Sequence, residues 1–109
     1  MAITYKVLGQ SAPGAATPAD AYTVPGSTSA VVSSIVVCNR SSTATSFRVS
    51  IAVGGAVVAN QQYIYYDVTI AGNDTFVATI GLTLAATDVI RVYATLATLS
   101  FNILGTEIS

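Results

Sequence analysis

The stretch YIYYDVTIAGNDTFVATIGL, Tyr63–Leu82, decides how the rest of the chain is read. Apolar side chains alternate with others through Tyr63–Ile70 and again through Thr75–Leu82, and Gly72, Asn73 and Asp74 stand between the two runs. A period of two places successive side chains on opposite faces of a strand, whereas a helix would bring them round every three or four residues. Gly, Asn and Asp tolerate the backbone angles of a tight turn. The stretch therefore reads as two strands joined by a turn. In the first strand Ile64, Tyr66, Val68 and Ile70 are expected on the core face, with Tyr63, Tyr65, Asp67 and Thr69 outward. In the second, Phe76, Ala78, Ile80 and Leu82 point inward.

The same grammar extends in both directions. Upstream, Phe47–Val53 places Phe47, Val49, Ile51 and Val53 inward and Arg48, Ser50 and Ala52 outward, ending at Gly54-Gly55, a hairpin signal. Ala30–Asn39 is apolar on both faces, with Val32, Val36 and Cys38 against Val31, Ile35 and Val37, as expected of a central strand covered on both sides. Ala21–Val24 is a short strand stopped by Pro25-Gly26. Downstream, a turn at Ala85–Asp88 precedes Val89–Ala94, where Ile90 and Val92 oppose Arg91 and Tyr93. Thr98–Leu104 then sets Leu99, Phe101 and Ile103 against Ser100 and Asn102, and Gly105 precedes a short tail. At the N-terminus, Ile3–Leu8 carries Ile3, Tyr5 and Val7 on one face. Gly9, Pro13, Gly14 and Pro18 then punctuate an extended Pro/Gly/Ala arm that runs to Asp20. This first strand is free to pair within its own subunit or with a neighbour.

No window shows the i, i+3, i+4, i+7 spacing of an amphipathic helix, and 37 of the 109 residues are Val, Ile or Thr, which suit a pleated surface. About eight short strands, with turn signals at the spacing typical of sandwiches and barrels, predict an all-β chain with almost no helix. The expected architecture is a single antiparallel two-sheet β-sandwich over residues 1–109, jelly-roll-like or immunoglobulin-like, with 1–20 as N-terminal strand and arm.

Composition narrows the function. The chain is 52% apolar and 8% charged, with four basic residues, five acidic ones and no His. Ordinary domains carry roughly 25% charge, so this surface must consist mainly of Ser, Thr, Asn, Gln and backbone. Disordered chains pair low hydrophobicity with high net charge, and a net charge of −1 with 52% apolar residues is the opposite. Four cations do not make the basic patch that phosphate neutralisation requires, so nucleic acid is not an expected partner. The charge-free stretch Val49–Tyr66 contains Gly54-Gly55 and Asn60-Gln61-Gln62 and alternates with period two, so it reads as strands and loop, and no membrane partner is expected. The N-terminal residues lack a basic flank followed by an apolar run, so a secretory signal is not expected. Cys38 is the only cysteine, which rules out an intrachain disulfide and fits folding in a reducing cytoplasm.

The chemical inventory is thin. Without His there is no Ser-His-Asp or Cys-His arrangement and no imidazole ligand for zinc. Cys38 lies in the most apolar strand, where a desolvated thiol stays inert. Asp74 and Asp88 stand at turns, where Asp commonly bonds nearby backbone, and Asn73-Asp74 alone is too few oxygens for calcium. No catalytic, cofactor or metal site is expected. Tyrosine and arginine on outward faces are the usual anchors of protein interfaces and of sugar-binding surfaces. Tyr63, Tyr65, Asp67, Arg48, Arg91, Tyr93 and Tyr5 are accordingly the candidate interface residues.

Six segments taken in order carry a resemblance. They are Ala21–Gly26 (AYTVPG), Val36–Arg40 (VVCNR), Tyr65–Asp67 (YYD), Leu82–Asp88 (LTLAATD), and Leu99–Asn102 with Gly105–Ile108 (LSFN, GTEI). Together they resemble small β-sandwich virion structural proteins of tailed bacteriophages, over residues 21–108. The resemblance implies a particle component, either a capsid decoration (cement) protein or a tail- or fibre-associated β-sandwich. The expected function is non-enzymatic, a cement protein that stabilises the shell through oligomeric contacts, with a tail- or fibre-associated structural or glycan/receptor-binding module as the alternative. The expected partners are further copies of the chain, with a trimer favoured, and the phage major capsid protein or another virion protein. The expected location is the virion, after synthesis in the bacterial host cytoplasm.

Overall fold

A computed structural model describes all 109 residues. Eight strands form in chain order: β1 (Ile3–Ser11), β2 (Ala19–Thr23), β3 (Ser29–Asn39), β4 (Thr45–Ala52), β5 (Tyr63–Ile70), β6 (Thr75–Leu84), β7 (Val89–Ala94) and β8 (Leu99–Ile108). The only helical residues are two 3-10 turns, Val53–Gly55 and Asn60–Gln62, in the β4–β5 connection.

The pairing has a simple rule. β1 pairs with β8, β2 with β7, β3 with β6 and β4 with β5, all antiparallel. The chain is thus one long hairpin whose tip is the β4–β5 loop. Folding that hairpin over itself adds the β3–β8 and β4–β7 ladders and produces two sheets, β1-β8-β3-β6 and β2-β7-β4-β5. An immunoglobulin sandwich distributes its strands differently, so of the two architectures expected this is the jelly roll. The two sheets pack through an apolar core that includes Ile35, Phe47, Ile90, Leu99, Phe101 and Ile103, all at 1% exposure or less. The Phe47 ring sits 5.2 Å from Phe76 and 6.1 Å from Phe101, the tilted and edge-on arrangements that aromatic quadrupoles favour.

β-Bulges set which residues face that core. In β3 the register shifts between Val32 and Ser34 against both neighbours. The extra residue, Ser33, moves every later side chain to the opposite face. Val32, Ile35, Val37 and Asn39 consequently point inward, while Val31, Val36 and Cys38 point outward. Apolar residues on both faces of Ala30–Asn39 predict a strand covered on both sides with Cys38 in the core; instead only one face is covered, and Cys38 lies half-buried on the same outer face as the exposed Val31. Val53, expected inward, stands in the first 3-10 turn and is exposed.

Close backbone approaches hold the corners. A Cβ at Gly9 would collide with the Ala21 carbonyl oxygen, so only glycine lets β1 pass β2 where the chain changes sheets. The stretch read as an arm is extended connection only over 12–18; β1 runs to Ser11 and β2 begins at Ala19. Within 12–18, Pro13 is buried and Ala15 bridges to Ala94. The C-terminal stretch expected as a tail is strand to Ile108, paired with β1 of the same chain.

Asn39 and Asp88 fasten the loops at opposite ends. The buried Asn39 amide donates to the carbonyls of Thr43 (2.9 Å) and Ala71 (3.2 Å), and its oxygen accepts from Ser41 N. Buried Asp88 accepts from Ala85 N and Gly54 N, each at 2.9 Å, tying the β6–β7 turn to the start of the β4–β5 loop.

Candidate tyrosine–arginine interface

The outer face of the β2-β7-β4-β5 sheet gathers most of the candidate residues through register alone. One row across the strands runs Asp20, Arg91, Ser50, Tyr63. In the next row Tyr93 of β7 lies opposite Arg48 of β4. Beyond Arg48 the β4–β5 ladder is irregular on both sides of Val49. There Asp67 takes a positive φ of 52°, a left-handed conformation that an aspartate tolerates better than most residues.

That bulge reverses part of the expected pattern of β5. Tyr65 turns inward, its ring 5.4 Å from Phe76 and 6.4 Å from Phe47, and it packs on the core rather than presenting an outer surface. Tyr66, expected in the core, is 57% exposed. The physical reason is the local geometry at Asp67, which puts Tyr66 and the Asp67 carboxylate on the same side as Arg48.

Arg48 is the centre of this surface. Its Nε donates to Asp67 Oδ1 at 2.7 Å and its Nη2 to Oδ2 at 3.2 Å, a fork-to-fork pair. The guanidinium plane is flanked by two rings, with Tyr66 4.2 Å and Tyr93 4.5 Å from its central carbon. Tyr63 meets Tyr66 edge-on at 4.9 Å. The hydrogen bond from Arg48 holds the Asp67 carboxyl below the usual range, and the same bond raises the guanidinium further. Arg91 is held equally firmly: Nε donates to Asp20 at 3.1 Å, Nη1 to Ala56 O at 2.6 Å and Nη2 to Gly55 O at 3.2 Å. Two of the five Arg48 donors and three of the five Arg91 donors are engaged inside the chain, which fixes both guanidinium groups in place.

Between them lies a notch of about 70 Å³, walled by Arg48, Ser50, Tyr63, Arg91 and Tyr93 with Pro18 and Val58 at the rim. Clefts that enclose a small-molecule ligand measure roughly 300–1,000 Å³. This notch accommodates one protruding group. Rigid tyrosines and a stacked arginine are the side chains that dominate binding energy at protein–protein contacts, because they present large area and lose little entropy.

Five of the seven candidates, Arg48, Tyr63, Asp67, Arg91 and Tyr93, converge here. Tyr65 is turned into the core, and Tyr5 lies on the outer face of the other sheet, 81% exposed. Tyr66 and Asp20 complete the cluster although alternation did not single them out. The one signal for Tyr66 was an aspartate in mid-strand, a residue depleted from regular strands and at ease in a bulge.

A second polar cluster closes the end of the sandwich near the termini. Lys6 Nζ lies 2.8 Å from Glu107 Oε1, and the Tyr22 hydroxyl donates to Glu107 Oε2 at 2.7 Å. Those two bonds, Lys6 first, hold the Glu107 carboxyl below its ordinary range, while burial, reinforced by Glu107, pushes the Tyr22 phenol well above its own. Tyr22 is buried, so this cluster joins the two sheets and offers little to a partner. The remaining acids are engaged with backbone: Asp74 accepts from Thr75 N at 2.8 Å and Asp88 from its two amides. No group of three or more His, Cys, Asp or Glu side chains comes together as a metal site would require, and no helix is long and apolar enough to cross a membrane. No protein-family model and no curated protein matches the chain.

Proposed function

We propose that this chain is a non-enzymatic structural protein of a phage virion, most simply a capsid decoration protein that docks on the shell through the outer face of the β2-β7-β4-β5 sheet. The observation that carries the proposal is the packing of Tyr66 and Tyr93 on Arg48, with Tyr63 against Tyr66 and Arg91 lining the same notch, each arginine already paired with a carboxylate. This is interface chemistry without catalytic chemistry. The docking contact desolvates few unpaired charges, since each guanidinium already has a carboxylate or carbonyl partner. Weak contacts of this kind, repeated on every copy of a lattice, add through avidity. The sequence resemblance supplies the virion setting, and the jelly roll is an architecture shared by viral capsid and lectin domains, an analogy of fold alone.

The test is co-sedimentation of purified protein with empty capsids. Wild type pellets with the shells, and Arg48→Ala and Tyr66→Ala remain in the supernatant while still folded, Tyr66→Ala with its thermal transition kept and Arg48→Ala with the small drop that loss of the Asp67 pair brings. Loss of neither variant's binding, or no binding by wild type, overturns the proposal.

One observation favours a second reading, a glycan- or receptor-binding module on a tail or fibre. Tyr66 presents an exposed ring beside a bidentate Arg48–Asp67 pair, which together would stack on and hydrogen-bond a sugar. A glycan array with wild type and Tyr66→Ala separates the readings: specific binding lost in the variant supports the module, and an empty array removes it.

A further inference from the structure

We infer that the outer face of the β1-β8-β3-β6 sheet is where copies of this chain meet one another. The inference rests on the assembly reading above only in expecting association, and it concerns the opposite side of the sandwich from the tyrosine–arginine cluster.

The argument begins with where the nine charges are. Asp20, Arg48, Asp67 and Arg91 lie on the other sheet. Arg40, Asp74 and Asp88 are in loops. Lys6 and Glu107 belong to β1 and β8, but they point to the inner side, where Glu107 accepts from the buried Tyr22 of the opposite sheet and Lys6 pairs with Glu107. The outer face of β1-β8-β3-β6 is left with no charged side chain. Register gives its rows: Ile3 pairs with Ile108, Tyr5 with Thr106 and Val7 with Leu104, and Thr106 also pairs with Val31 of β3. Toward β6 the row of Asn102 and Val36 reaches Val77, which is 58% exposed. Ile3 and Val7 are each about half exposed and Tyr5 more so. The rest of the face is mostly Ser, Thr, Asn and Gln.

Size and charge together select a second copy as occupant. Four strands about 4.8 Å apart and roughly 33 Å long present about 600 Å². Specific interfaces bury about 600–1,000 Å² on each partner. An ordinary protein surface, with roughly a quarter of its residues charged, would bury unpaired charges against this face. A copy of the same face opposes no like charges and strands none. It also covers the large side chains of β1, an edge strand whose exposed apolar row is otherwise a hazard for uncontrolled pairing.

The experiment measures the mass of the full chain in solution by light scattering over a concentration series. Wild type associates. Tyr5→Glu with Val31→Glu weakens association by more than about 30-fold, the scale of a lost interface anchor. The pair Tyr5→Lys with Val31→Lys is also monomeric, and mixing the acidic and basic variants restores a complex. Arg48→Ala associates as wild type does, even though it no longer binds shells. A wild type that stays monomeric at the highest concentrations, or acidic variants that associate unchanged, overturns this inference. Either result leaves the docking face intact, because capsid co-sedimentation reads that face separately.

Discussion

Asp88→Ala tests the link between a buried turn and the binding surface. Asp88 accepts two backbone hydrogen bonds of 2.9 Å, from Ala85 N and Gly54 N, at a position that solvent barely reaches. Hydrogen bonds to a carboxylate contribute about 1.5–3 kcal/mol each, and part is recovered when water reaches the loop amides. The expected loss is about 3 kcal/mol. With about 4–8 °C per kcal/mol for a domain of this size, Tm falls by roughly 12–24 °C. Asp88→Asn keeps one acceptor oxygen and falls between Ala and wild type. The consequence for function follows from the chain of contacts: Gly54 leads into Gly55 and Ala56, whose carbonyls hold the Arg91 guanidinium. Releasing Gly54 therefore loosens Arg91, and shell binding weakens at temperatures where the variant is still folded. The assay is urea unfolding of the three proteins followed by capsid co-sedimentation well below each Tm. A loss under about 1 kcal/mol, or an Asn variant no better than Ala, would refute the assignment of Asp88 as the loop fastener.

Phe47 touches both Phe76 and Phe101 at the centre of the sandwich, so Phe47→Ala costs about 3–5 kcal/mol in denaturant unfolding, more than any exposed tyrosine substitution. Tyr65→Ala and Tyr66→Ala, neighbours in sequence, separate cleanly. The first destabilises by about 2–4 kcal/mol and binds shells once folded, whereas the second changes stability by under about 1 kcal/mol and abolishes binding. Acid acts through Asp67 and Glu107, whose carboxyls are both held below their usual range. The stability they contribute is complete above about pH 4.5 and is lost as pH falls through their lowered folded values, so Tm is level from neutral pH to about 5 and drops below about 4. Asp67→Asn with Glu107→Gln makes that acid limb shallower, as differential scanning calorimetry across the range would show.

The sheet class and the strand count follow from period-two patterning, because alternation reports burial on one face of a strand directly. β5 and β7 have the expected ends, Tyr63–Ile70 and Val89–Ala94. Facing was lost wherever a bulge intervened. Ser33 in β3 reversed Cys38, and the irregular ladder around Val49 with the left-handed Asp67 exchanged Tyr65 and Tyr66. A bulge inserts one residue without changing composition, so alternation alone does not locate it. The choice between jelly roll and immunoglobulin sandwich was likewise invisible locally, since it depends on which distant strands pair: β1 with β8 and β2 with β7. Most of the candidate surface was legible because Arg48, Arg91 and Tyr93 lie on regular strands. Their convergence with Tyr63 and Asp67 required the register. The Lys6–Glu107–Tyr22 cluster required the closure of the first and last strands on each other.

The most direct measurement is the number of copies of this chain in purified particles, by quantitative mass spectrometry against the major capsid protein. A shell decoration protein is present on the order of hundreds of copies in fixed proportion to the shell subunit, as lattice-wide avidity demands. Its absence from purified particles, or a few copies unrelated to the shell stoichiometry, would contradict a decoration role.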